Sequence, residues 1–319
     1  MTLPGWSCNV APVSDFGEEP SLEPPLLPHL AFNAACRLSS ALPAGMRRAI
    51  AHILSAAQYR IDRDRRKAVH ANLRVLANGG HAGLRDAASR ERAARRIFES
   101  YLAFLLEFLA QGRLDARAIS ERIRFRGMAL LYGALAGGRG AVITVPHLGN
   151  WEVAGLALAR LGFPIHVVTG VQLHPLLTRA VRSAKERARI HVSTPTDGFL
   201  PLLATLRAGG LVVLLVDGDV YARAVPAPFF GRRVPFPAGP ALLARRSGAP
   251  VLHAHTERNG TDRLLISFDG LDAPDRTLPL TEDVTRLTAR VAAAQERNIA
   301  AHVDQWCIFR AIFERSDAA

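Results

Sequence analysis

Residues 211–216 read Leu-Val-Val-Leu-Leu-Val, an apolar run without the polar alternation of a strand that has one face in water. Set between Gly209-Gly210 and Asp217-Gly218, such a run is a strand covered on both faces. Shorter runs of the same kind recur at 140–145 (GAVITV), 165–169 (IHVVT), 190–193, 250–256 and 264–268. Helical periodicity separates them at 151–161, 174–187, 200–207 and 237–247. A last helix, capped by Thr281, carries Val284, Leu287, Val291 and Ala294. Strands alternating with helices give an α/β fold, a mostly parallel sheet flanked by helices, here expected over residues 126–319.

The part before residue 126 has another texture. Residues 1–25 contain five prolines and four acids (Asp15, Glu18, Glu19, Glu23), the composition of a disordered leader, and no Lys or Arg that would start a secretory signal. Residues 26–125 read as a helical, membrane-facing region. Its first stretch, 26–61, is apolar but interrupted by Arg37 and Pro43, which suits an interfacial helix or helix pair better than a span. Between Arg47 and Lys67 seven Lys/Arg face only Asp62 and Asp64, the charge expected of a helix on an anionic membrane. A second long helix follows, with Ser89 as its expected cap and Ile97, Tyr101, Phe104, Leu105 and Phe108 on one stripe, lining either the core or an acyl-chain groove.

Composition removes several function classes. The net charge of +12 comes with no helix-turn-helix, zinc-finger or RNP signature, so nucleic acid is not the expected partner. The cysteines are three and far apart (Cys8, Cys36, Cys307), without CxxC or Cys/His zinc spacing. No GxSxG elbow of a serine hydrolase occurs.

Chemistry concentrates at Pro146-His147-Leu148-Gly149-Asn150-Trp151-Glu152. His147 follows a buried strand, at the sheet edge where open α/β folds bind ligands. Glu152 falls in the first turn of the next helix, where its carboxylate can approach the imidazole, fix its tautomer and raise the basicity of the free nitrogen. A base of that kind can take the proton of an acceptor hydroxyl. Helix-N-terminal amides near Gly149 and Asn150 are candidate oxyanion donors. No metal or cofactor is called for. His166, His253 and His255 lie in strand runs and read as satisfied structural residues.

HLGNWE resembles the HxxxxE block of the lysophospholipid acyltransferase superfamily, in its bacterial late lipid A acyltransferase branch (lauroyl and myristoyl transferases), which also takes in phosphatidylinositol mannoside acyltransferases. Further blocks follow in the family's order: Arg65 through Asn72-Leu73, Phe229-Phe230-Gly231-Arg232, Gly239 through Ala244, Gly248 through Val251, and Gln305-Trp306. The resemblance implies His147 and Glu152 as the catalytic pair, an acyl-carrier-protein or acyl-CoA donor, and a lipid or glycolipid hydroxyl as acceptor. It also implies work at the cytoplasmic face of the bacterial inner membrane, peripheral or singly anchored. Asn150, Asp217, Lys185, Arg232 and Arg233 are the expected substrate-binding residues. Asp217-Gly218-Asp219 stands where the family often has Asp-Gln, and it also matches the metal-binding DxD of a glycosyltransferase, the alternative reading.

Overall fold

The computed structural model describes residues 26–110, 116–169, 182–183, 185–194, 197–217, 224–260 and 263–313. The acidic leader lies outside them. So do Gly218, Asp219 and most of the helix expected at 174–187, of which 182–183 and 185–187 are helical.

A seven-stranded sheet organises the chain. Its strands are β1 (Ile123–Arg126), β2 (Ala141–Val145), β3 (Ile165–Val168), β4 (His191–Ser193), β5 (Leu211–Leu215), β8 (Val251–Asn259) and β9 (Arg263–Asp272), in the spatial order β1-β9-β8-β2-β5-β3-β4. Every neighbouring pair is parallel except β8 and β9. The expected α/β architecture is thus present, and the antiparallel β8–β9 pair is an addition to it. A separate hairpin, β6 (Ala224–Phe229) with β7 (Arg232–Pro237), was not foreseen. Phe229 pairs with Arg232, so the turn is Phe230-Gly231, and both take positive φ (50° and 75°). This is the two-residue hairpin geometry that matches strand twist.

Side chains alternate across each strand, and both faces of this sheet are buried. Val142, Val212 and Val251 point into one core with Leu206, Leu243, Leu287 and Trp306. Ala141, Ile143, Leu211 and Leu252 point into the other with Leu131, Ala157 and Ile165. Leu211 is fully buried, and such a side chain contributes about 1.5–3 kcal/mol of transfer free energy.

The helices are α1 (Leu26–Ala41), α2 (Ala44–Ile61), α3 (Arg63–Asn78), α4 (Ala87–Leu109), α5 (Ala116–Arg122), α6 (Met128–Leu135), α7 (Trp151–Arg160), α8 (Leu200–Arg207), α9 (Gly239–Ser247) and α10 (Leu280–Ala301). The apolar N-terminal stretch is therefore a helix pair broken at Pro43, which caps α2. Two caps differ from expectation. Asp86, not Ser89, caps α4, because its carboxylate reaches the Ser89 amide at 2.7 Å while the Ser89 hydroxyl bonds back to the Asp86 carbonyl. Thr281 lies inside α10, which starts after Pro279 without a side-chain cap. The first core also takes in Tyr59, Leu73, Ile97 and Phe98, so α2, α3 and α4 pack onto the sheet layer itself.

Candidate active site

β2 and β5 are adjacent parallel strands in matched register, with Val145 opposite Leu215. The chain runs two residues past each, to His147 and Asp217, which therefore meet at the carboxyl edge of the sheet. His147 Nδ1 lies 2.7 Å from Asp217 Oδ1, and the His147 amide donates to Oδ2 at 2.8 Å. The Trp306 indole N–H donates to that same Oδ2 at 2.7 Å. Asp217's side chain is 0% exposed and that of His147 28%. Burial opposes ionisation of Asp217, but the His147 charge, the two His147 bonds and the Trp306 bond outweigh it and hold the carboxyl below the ordinary aspartate range. An ionised acceptor on Nδ1 keeps a proton on that nitrogen, so the neutral ring carries its lone pair on Nε2.

Backbone contacts fix the turn that carries His147. Cys307 donates its amide to the His147 carbonyl at 2.8 Å, and Leu148 forms an isolated bridge with Trp306. The Thr256 hydroxyl donates to the Leu148 carbonyl at 2.6 Å. Gly149 has φ +64°, and a Cβ there would stand 2.4 Å from the Thr256 carbonyl oxygen, so no other residue fits without displacing β8. Its N–H donates to Gln305, which removes it from the candidate oxyanion donors. The Trp151 and Glu152 amides, at the start of α7, have no partner among the described residues.

The expected site residues separate into groups. Asn150 is fully buried and caps α7: its Oδ1 accepts from the Val153 amide at 3.0 Å and its Nδ2 donates to Glu107 Oε2 at 2.7 Å. Arg258 holds both Glu107 oxygens, at 3.2 and 3.0 Å. Asn150 thus anchors the helix rather than facing substrate. Glu152 Oε1 accepts from Lys185 Nζ at 3.1 Å, with side chains only 10% and 8% exposed. No hydrogen bond joins Glu152 to His147 among the described residues: Glu152 is engaged by Lys185, and Nδ1 is already taken by Asp217. Asp217 has both oxygens engaged, which leaves little of it for a DxD metal site, and Asp219 lies outside the described residues. Arg232 and Arg233 are exposed on the hairpin, and Arg232 borders a different hollow with Arg74, Asn78 and Phe313. His166 and His253 have both ring nitrogens bonded, as expected, whereas His255 bonds through Nδ1 alone.

His147, Trp151, Glu152 and Lys185 line one cavity of about 380 Å³. The rest of its wall is largely apolar: Tyr101, Phe104, Leu105 and Phe108 of α4, Ala154, Gly155 and Leu158 of α7, and Val167, Val213, Ile266 and Phe268 of the sheet. Phe104 stacks on Trp151 with ring centroids 4.3 Å apart, and the His147 ring meets the Trp151 ring edge-on at 5.0 Å. The α4 stripe therefore lines a groove as well as the core.

The sequence model of the family described as "Bacterial lipid A biosynthesis acyltransferase" matches residues 26–315. The chain belongs to that family. This lipid A biosynthesis acyltransferase homologue is an acyltransferase of lipid biosynthesis, with an acyl donor and a lipid acceptor. It is 28% identical over 216 residues to the phosphatidylinositol mannoside acyltransferase of Mycolicibacterium smegmatis, covering 66% of this chain and 69% of that one. It is 30% identical over 215 residues to the enzyme of that name from Mycobacterium tuberculosis, covering 65% of this chain and 66% of that one. The blocks that carried the resemblance also meet in space. Asn72 holds the Arg310 carbonyl and the Ile312 amide, the FFG block is the hairpin turn, and Trp306 of the closing QW grips Asp217. Among the described residues no helix is long and apolar enough to cross a membrane.

Proposed function

We propose that the chain transfers a fatty acyl group from a thioester donor, acyl-carrier protein or acyl-CoA, to a hydroxyl of a lipid or glycolipid, with His147 as general base. One observation carries this reading: an imidazole with its Nδ1 committed to a buried carboxylate stands at the wall of an apolar cavity of about 380 Å³, within the usual size range of ligand pockets. His147 Nε2 takes the acceptor's proton as the hydroxyl oxygen attacks the thioester carbonyl. The carbon–oxygen bond forms, the carbon–sulfur bond breaks, and the imidazolium returns its proton to the leaving thiolate. Asp217 holds the tautomer and offsets the charge on the imidazolium. The open amides of Trp151 and Glu152, at the positive end of α7, suit the oxyanion. Glu152 positions Lys185 on the cavity wall.

The names of the mycobacterial relatives favour a mannosylated phosphoinositide or a similar glycolipid as acceptor class. Action at a membrane surface, on its cytoplasmic side, has support in the exposed side chains of α1 and α2. Leu38, Met46, Ile53, Leu54 and Ile61 are exposed there beside Arg37, Arg48 and Arg60, a pattern suited to anionic headgroups. The test is thiol release from acyl-CoA or acyl-carrier protein in the presence of glycolipid, with mass spectrometry of the product. His147→Ala should lower the rate by about 10²–10⁴ with the circular dichroism spectrum unchanged. Full activity in that variant, or an acyl-enzyme with ping-pong kinetics, would overturn the reading.

A further inference from the structure

A second cluster of ionisable side chains stands where β8 meets the end of α10, and one of its members, His255, also borders the cavity that His147 lines. His255 and Glu257 are two apart on β8 and so share a face. His302 is the residue on which α10 ends. One ligand atom from each, the two imidazole nitrogens and a Glu257 oxygen, lies within 4.8 Å of the others. His255 Nε2 is 3.8 Å from Glu257 Oε2, and His302 Nε2 contacts that same oxygen.

The hydrogen bonding of the cluster is incomplete. His255 Nδ1 lies 2.6 Å from Asp269 Oδ2, so in the neutral ring the proton is there and Nε2 presents a lone pair. That nitrogen is buried without a partner, on a side chain 4% exposed, and the acceptor it faces, Glu257 Oε2, has no well-formed hydrogen bond either. With His302 alone beside Glu257 Oε2, the inward-aimed lone pair of His255 stays unanswered, and a cation between the three groups would answer it.

We propose that His255, Glu257 and His302 bind a divalent transition-metal ion, best matched by zinc. Two imidazoles and one carboxylate are a common zinc donor set; bonds of about 2.0–2.1 Å in a tetrahedron call for ligand atoms roughly 3.3–3.4 Å apart, so His302 draws back from the Glu257 oxygen it touches, and His255, 3.8 Å from that oxygen, closes in slightly as the ion binds. Asp269 on the far nitrogen of His255 supplies the carboxylate that usually orients a ligating imidazole. The carbonyl end of α10 favours positive charge, as does Asp304, whose charge Arg96 partly offsets at 3.5 Å; Arg126 opposes it. The role is structural. The ion ties β8 to the start of the segment 303–307, which carries Trp306 to Asp217. The inference rests on the cluster's own donors and not on the acyl-transfer reading, although His255 also borders the His147 cavity.

The experiment uses the full chain without an affinity tag, stripped with EDTA, dialysed and titrated with zinc chloride. One equivalent should bind, and excess zinc at about 100 times Kd should raise Tm by roughly 4–8 °C. Cobalt(II) should give the visible absorption of a tetrahedral site. His255→Ala and His302→Ala should lose binding, whereas His302→Cys should keep it and add a sulfur-to-cobalt band in the near ultraviolet. If the stripped wild-type protein binds no stoichiometric zinc, or binds it equally after both alanine changes, the cluster is a hydrogen-bonded His–Glu pair and the proposal fails. The wild-type titration decides even if the variants do not fold.

Discussion

The end of β5 and the first turn of α7 each bring a carboxylate to the histidine's surroundings, but into different company. Asp217 is fully buried, receives three hydrogen bonds and bonds the imidazole itself. Glu152 sits on the wall of the apolar cavity and answers a lysine. The contrast shows how register, not proximity in sequence, selects a histidine's partner. Residues at matching distances past adjacent parallel strands are fixed by ladder hydrogen bonds on both sides. A residue one helical turn away is aimed by the helix instead, and α7 aims Glu152 at Lys185. Exchanging the chemistry of the two acids tests the contrast most directly. Asp217→Asn should cost about 10²–10⁴ in kcat with little change in KM, because the amide no longer fixes the proton on Nδ1. Glu152→Gln should cost far less in kcat. Steady-state kinetics on both variants decide it, and equal losses would erase the distinction.

Lys185→Met sharpens the other half. It leaves Glu152 as a nearly buried carboxylate without its cation, which should lower stability by about 1–3 kcal/mol in urea unfolding at neutral pH. Adding Glu152→Gln to it should recover most of that loss, since no charge then remains unpaired. The cavity between these groups can be probed as well. Gly155 has open space where a Cβ would project, and it lines the groove. Gly155→Leu should fill part of the groove and shift preference toward shorter acyl donors by roughly tenfold, comparable to the discrimination a methylene or two brings in an apolar pocket. Competition between donors of different chain length measures it. A selectivity unchanged by the leucine would argue that the chain runs elsewhere.

Much of this arrangement is legible in the sequence because it is local. The apolar runs announce the sheet, and the strand before His147 places the imidazole at the right edge. The α4 stripe at Tyr101, Phe104 and Phe108 announces an apolar wall. What is not legible depends on pairing between distant segments. Nothing near Asp217 says that β5 lies beside β2, and without that adjacency Glu152, five positions from the histidine, is the nearer candidate. Asn150 looks like a polar group offered to substrate until α4 brings Glu107 to its amide. The Phe229-Phe230-Gly231 turn needs Phe230 at positive φ, which its side chain does not advertise. His255 and His302 are parted by β9 and the whole of α10, so no ligand spacing signals their meeting.

Trp306 is the smallest lever on the contrast, and it isolates the electrostatics of the buried acid. Its indole N–H is one of the donors that keep Asp217 ionised despite burial. A carboxyl whose folded pKa is depressed stabilises the fold above the ordinary aspartate value and loses that contribution as pH falls through the folded one. For Asp217 the loss therefore falls below about pH 4. Trp306→Phe keeps the ring packed but removes the donor, so the folded pKa moves back up and the loss is smaller and complete at a higher pH. The change should cost about 0.5–1.5 kcal/mol at pH 7, and the difference should narrow only as pH falls below the ordinary aspartate range, where Asp217 takes up its proton first in the variant. Thermal unfolding of the two proteins across pH 3–7 measures this. A constant offset at every pH would assign Trp306 to packing alone and leave His147 as the one group that sets the charge on Asp217.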